Sequence, residues 1–449
     1  MTATADKRIK SITIFKCAYV CLLILSFLNF SSQNVSLLAS ILAIAGGALI
    51  FWGLVRKRLF TMPGIAFVTI FLGVYLVSCM INVKYGIIGN IKSFIWLLLQ
   101  FFLLYTVDDT AEDSYYKKEA FLLMRLYTII IFITSLIALV MAILHIEQVT
   151  EGVGGTIIRG VYAGRLYGEY TDPNYGAMFA VIAIFFSSYL CQHSSYLPAR
   201  FFFSGNVLIQ CAYCFLSGSR TAILALLICV FIGLALWVYK RFIRENALRH
   251  KFWKIFISII VTVFVIGILF LLYRACRAHL TNAPAVEVEE AAEHYIGRDL
   301  SSSDFTSGRF KIWFSGIQVW KTAPFFGTSP RNLLPYAKAV LPDTYIATEN
   351  YVAMHNVFLD LLVETGVLGL LSVLGFIGYM AVWIFKRWGR TAYEDFPYSL
   401  CLALTVIAIG ISACFLTEIL FINSVGAFFF WSCLGYLVHF INRREKQPL

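Results

Sequence analysis

Charge is what this sequence has least of. Asp, Glu, Lys and Arg make up 14% of its 449 residues, against 60% hydrophobic and 16% aromatic, where a soluble domain carries about 25% charged residues. That shortage excludes a soluble globule and leaves no room for a separate soluble domain. The eleven cysteines are no substitute framework, because only Cys276 falls in a polar segment and the rest lie within apolar runs. Cys211 and Cys214 form a CxxC, but without a second metal-ligand pair, and His355 has no His, Cys or carboxylate three or four residues on. No small-residue cleavage site follows the first apolar run, so it reads as a retained helix.

What is present is apolar sequence in lengths that suit a bilayer. Runs at 12–30, 35–55, 63–82, 87–106, 120–145, 173–191, 200–216, 220–239, 252–274, 355–385, 398–418 and 421–441 predict an all-α polytopic membrane protein with about twelve spanning helices. Lys and Arg cluster on alternate connections, at Arg56 to Arg58, Lys117-Lys118, Lys240 to Lys254, Lys386-Arg387 and Arg443-Arg444, which predicts that both termini are cytoplasmic. The chain then divides into helices over 1–274, one large extracytoplasmic loop over 275–354, and a last helical group over 355–449. The formal net charge of +11 follows from this topology, and no nucleic-acid partner is needed to explain it.

Polar residues gather on the outward side. Arg220 stands in LSGSRTAIL where one span turns directly into the next; an arginine so close to hydrocarbon needs water or an anion. The Gly-rich stretch EGVGGTIIRGVYAGRLYGEYTDPN is expected to be irregular, with Asp172 capping a helix that opens at Pro173. It brings Arg165, Glu169 and Asp172 toward an outer cavity. The large loop is acidic at Glu287, Glu289, Glu290, Glu293 and Asp299, then cationic from Phe305 to Val340 without a carboxylate. Within it, residues 301–307 offer an N-cap to a short amphipathic helix in which Phe310, Trp313, Phe314, Ile317 and Trp320 share one face. That helix is expected to lie on the membrane plane, with Arg309 in its first turn reaching for phosphate. His355 and Asn356 stand at the mouth of the next apolar helix.

Three patterns together resemble the O-antigen ligase and polymerase superfamily: GRLYGEYTDPN, SGSR, and the stretch R-x-x-I-W, P-x-F-G-T, HN and VETGVLGLL. The likeness runs from about 150 to 385, with one departure, Gly327-Thr328-Ser329 where the family often has Gly-x-Gly. The resemblance implies a membrane glycosyltransferase acting at the outer face of the bacterial plasma membrane on an undecaprenyl-pyrophosphate-linked glycan donor. It implies pyrophosphate binding by Arg220 and Arg309, with Arg165 beside them, and acceptor activation by His355. Glu169 and Asp172 are the rival bases, and Asn356 a further acceptor contact. No cofactor is called for. Membrane lipids surround the chain, and a flippase and a chain-length regulator are the expected associates. Polymerisation of lipid-linked repeats is favoured over ligation to lipid A core or protein, because the outward segment carries no dedicated docking domain. A transporter is the alternative from another class, opposed by the gathering of polar groups at one surface and by the lack of a repeated half-structure.

Overall fold

The structure, a computed structural model, describes residues 3–32, 35–56, 59, 61–108, 113–152, 155–242, 260, 264, 267, 268, 271–275, 309–349, 353–388 and 395–446. Helices α1 (Ala3–Ser26), α2 (Ser36–Val55), α3 (Ile65–Ile81), α4 (Ile88–Leu99, continued by a π-turn over Gln100–Tyr105) and α5 (Asp113–Ile143) come first. Strands β1 (Glu147–Gly152), β2 (Gly155–Tyr162) and β3 (Arg165–Gly168) follow, then α6 (Pro173–His193), α7 (Leu197–Leu216) and α8 (Arg220–Phe242). Three short helices, α9 (Arg309–Thr322), α10 (Leu333–Val340) and α11 (Tyr345–Thr348), lead into α12 (Val357–Trp388), α13 (Phe396–Ala413) and α14 (Val425–Lys446). Every expected run except 252–274 is occupied by a helix. That run lies for the most part outside the described residues, as do Cys276, the acidic stretch 287–299 and the cap at 301–307.

Nine helices among the described residues are long and apolar enough to cross a membrane, and α3 is a shorter apolar helix. The chain is therefore an all-α, multi-pass membrane protein with one small sheet. Burial separates its centre from its periphery: 94% of the span Val425–Asn442 and 78% of Pro173–His193 are buried, against 17% of Ser36–Val55 and 22% of Arg220–Trp237. So α14 and α6 form the axis, while α2 and α8 present apolar surface outward.

The stretch expected to be irregular is instead an antiparallel three-stranded sheet in the order β1-β2-β3. Ala163 and Gly164 both have positive φ, 48° and 66°, and join Tyr162 directly to Arg165. This two-residue turn matches the twist of a hairpin, and the β-branched and aromatic residues of TIIRGVY supply the strand. The glycines that argued for irregularity sit where the backbone bends or packs closely. Gly168, at φ 63°, lies against Ala138 of α5, where a Cβ would collide.

The cationic part of the large loop packs onto α12 through Val319, Tyr336, Ala337, Ile346, Met354 and Val363. Its helix α9 forms as expected, and its protein-facing side is Ser315, Gly316 and Val319. Phe310, Phe314 and Ile317 form an exposed ridge at i, i+4 and i+7. Small residues win the protein face because Met354 approaches Gly316 so closely that a Cβ would clash.

Candidate functional site

Two groups of residues are assembled at one end of the helix bundle. The first is built on the hairpin. The β2–β3 turn fixes Arg165 at the start of β3, and its guanidinium donates from Nε to the Ser217 carbonyl (2.8 Å) and from Nη2 to Asn174 Oδ1 (2.8 Å). Asp172 caps α6, its Oδ1 accepting from the Asn174 amide at 2.6 Å. Ser217 belongs to the turn before α8, in which Gly218 has φ 64°, the Ser219 amide donates to Ser217 Oγ (3.2 Å) and Ser219 Oγ accepts from Ala222 N (3.4 Å). Arg220 is therefore the exposed first residue of α8, at the end where helix amides favour anions. GRLYGEYTDPN and SGSR, far apart in sequence, are one structural unit. Glu169 is set apart from it: its Oε2 lies 3.5 Å from Arg159 Nε, and its carbonyl accepts from Asn29 N at 2.8 Å.

The second group is built on α9 and the start of α12. Trp313, one turn after Arg309, donates from Nε1 to the Met354 carbonyl at 2.7 Å. Asn356 caps α12, its Oδ1 accepting from Phe358 N (3.0 Å) and Leu359 N (3.2 Å). Between these two fixed points, half-buried His355 takes φ 52°, a left-handed conformation that His tolerates better than most residues. The Arg309 helix and the His355 turn are thus held together.

Behind His355 the helix is broken and repaired. Gly366 has φ 67° and ψ −174° inside α12, which frees backbone groups that lipid cannot satisfy. The PFFGTS segment supplies them. Thr328 N donates to Val363 O (3.0 Å) and Ser329 N to Glu364 O (2.8 Å), while Val367 N donates to Pro324 O (2.9 Å) and Leu368 N to Phe325 O (3.4 Å). The backbones meet so closely that a Cβ on Gly327 would strike Glu364, and one on Gly366 would strike Phe325. This contact explains why P-x-F-G-T and V-E-T-G occur together. Ser329 itself has φ 68°, so the loop keeps a glycine-type conformation without the second glycine. Asn82, at the end of α3, donates to the Gly327 carbonyl at 2.9 Å and locks the repair to the bundle.

Several residues at this end escaped the sequence reading. Asp360, 3% exposed, accepts on Oδ2 from Thr417 Oγ1 at 2.8 Å. The Thr417 carbonyl in turn accepts from Tyr175 OH at 3.0 Å. Glu418, in the connection between α13 and α14, is wholly buried. Burial pushes its carboxyl up to about 7, with Ser412 opposing the rise and the Asp172 charge adding to it. A signal was available, since Glu418 is the only Asp, Glu, Lys or Arg between Phe396 and Asn442. An ionisable residue so placed is a functional candidate by default.

A cavity of about 540 Å³ is lined in part by Val357 and Phe358, the residues that follow the His355 turn. It passes Phe376, Ile411 and Trp431, and reaches Trp388 at the far end of α12. Its walls are almost entirely carbon, which fits a hydrocarbon chain rather than a sugar.

Residues 205–374 match the family model described as O-Antigen ligase. Over that part of the chain the match supports the resemblance to the O-antigen ligase and polymerase superfamily. It supports glycan transfer of the ligase or polymerase type, with lipid-linked glycan substrates. The matched region contains Arg220, Arg309 and His355, whereas Arg165, Glu169, Asp172, Tyr175 and Thr417 lie outside it. No curated protein matches the chain.

Proposed function

We propose that this chain is a polymerase of the O-antigen ligase superfamily that joins undecaprenyl-pyrophosphate-linked oligosaccharide repeats at the outer face of the plasma membrane. The observation that carries the reading is the assembly of the arginine and histidine groups at one end of the bundle, next to residues that line a carbon-walled cavity. In this reading the cavity takes the polyprenyl tail of the donor. The pyrophosphate lies with Arg220, Arg309 and Arg165, whose planar guanidinium forks stabilise its developing charge bidentately. His355 removes the proton from the acceptor hydroxyl as that oxygen bonds to the anomeric carbon. The carbon–oxygen bond to the pyrophosphate breaks on the opposite face, so configuration inverts and undecaprenyl pyrophosphate leaves. Two facts favour His355 over its rivals: Asp172 is engaged in capping α6, and Glu169 is paired with Arg159. Asn356 serves as the cap that sets the His355 turn. The exposed Phe310, Phe314 and Ile317 ridge lets α9 rest in the outer leaflet, with both termini in the cytoplasm. A flippase that delivers repeats and a chain-length regulator are the natural associates.

The test is single-turnover transfer by purified protein with lipid-linked repeats as both donor and acceptor. Wild type forms polymer, and continues to do so in EDTA because arginines carry the leaving-group charge. His355→Ala loses about 10²-fold or more while still binding donor. If repeats are never joined to one another but glycan moves onto lipid A core or a protein, the enzyme is a ligase. If Glu169→Gln or Asp172→Asn abolishes transfer and His355→Ala does not, the base is that carboxylate. Loss of transfer in EDTA, restored by a divalent ion, overturns the arginine assignment.

A further inference from the structure

The two groups of the site are carried by different parts of the fold, and a run of hydrogen bonds and backbone links joins them. It starts at the residue after His355: the Asp360 amide donates to the Asn356 carbonyl at 2.9 Å, so the Asp360 carboxylate moves with the His355 turn. Asp360 Oδ2 receives Thr417 Oγ1, and Thr417 O receives Tyr175 OH. Tyr175 adjoins Asn174, whose Oδ1 holds Arg165, and Arg165 holds the Ser217 turn that leads to Arg220.

The middle of this run is anchored. In the 414–424 connection, Phe421 O accepts from Arg331 Nη2 (2.8 Å) and Ser93 Oγ (3.3 Å), and Ile422 O from Gln100 Nε2 (3.2 Å). Ile419 O accepts from Trp431 Nε1 at 3.2 Å, and Ser424 Oγ donates to Glu418 O at 2.9 Å. A connection held from α4, from the loop before α10 and from α14 transmits position instead of absorbing it. The strut lies partly outside the residues that the family model matches.

We propose that Asp360, Thr417 and Tyr175 are positioning residues: they set the His355 turn against the Arg165 and Arg220 unit, making the connection between α13 and α14 part of the transfer machinery. The proposal rests on the assignment of His355 and the arginines above. Near-attack geometry needs base, acceptor and anomeric carbon aligned within a fraction of an ångström, and a 1 Å misplacement costs on the order of 10²-fold. A break in the strut therefore lowers the rate without removing a group that touches substrate.

Thr417→Val removes the hydroxyl and Tyr175→Phe removes the second link, whereas Thr417→Ser and Asp360→Asn each preserve a partner for the Asp360–Thr417 bond. Expected are losses of about tenfold or more in kcat for Thr417→Val and Tyr175→Phe, with KM for the lipid-linked donor little changed. The double variant should fall no further than the worse single one, and the two conservative variants should recover most of the rate. A purely structural role predicts instead a lower folded yield with unchanged turnover per folded molecule. That result, or additive losses in the double variant, overturns the proposal. A second readout is independent of activity. Hydrogen exchange of Thr417→Val in nanodiscs should rise at the amides of both 356–361 and 174–176. If wild type transfers nothing from a lipid pyrophosphate, the functional reading fails while exchange still tests the strut; if exchange rises at only one end, the strut fails while the functional reading stands.

Discussion

At the scale of single residues, Glu418 is sensitive to pH. Its carboxyl is held up to about 7, chiefly by burial, against an ordinary value near 4.5. Between those values the folded protein keeps a proton that the unfolded chain releases, so this group's contribution to stability is full below about 4.5 and is lost by about 7. Glu418→Gln should flatten that fall: between pH 5 and pH 7.5 its melting temperature should change less than that of wild type. An equal change in both proteins would mean that Glu418 is ionised in the fold. Arg220, Arg309 and His355 stand out in the sequence as candidates because each is a costly group at an apolar boundary. Trp313, Tyr175 and Thr417 do not, since a side chain that bonds to a distant carbonyl leaves no local spacing to read.

At the scale of elements, helices were legible because length and hydropathy alone bound them. The hairpin was missed because glycine and alanine in a type I′ turn look, in composition, like the glycines of an irregular loop. The aromatic stripe of α9 is conspicuous in the sequence and lies exposed, whereas its protein face was not legible, because close approach to Met354 selects Ser315 and Gly316. The broken helix α12 gives a direct test of backbone matching. Gly327→Ala and Gly366→Ala each place a Cβ on a facing backbone at positive φ, so both should lower the yield of folded protein and the melting temperature sharply. Ser329→Gly, which relieves a left-handed serine, should be neutral or raise stability by about 1 kcal/mol. Equal tolerance of all three would show that the two strands of backbone are not in register as described.

At the scale of the whole molecule, the bundle is also clamped toward its opposite end. Lys16 of α1 and Glu119 of α5 meet at 2.7 Å with both side chains 1% exposed, and Tyr436 of α14 lies within hydrogen-bond distance of each. Lys16→Met leaves a buried acid without its cation, a loss of about 3–5 kcal/mol. Lys16→Met combined with Glu119→Leu should recover most of it in thermal unfolding, and a double variant as unstable as the single one would contradict the pairing. The clamp ties the first described helix to α14, the most buried of the described candidate spans. The ribosome makes α14 after every helix that surrounds it, so the earlier helices enter the bilayer around an axis that does not yet exist. Until α14 arrives, inward-facing groups such as Glu119 must be sheltered by lipid, water or the insertion machinery. Assembly of the described bundle is then a late capture event, and the quality-control cost of any slow mutant falls on that interval.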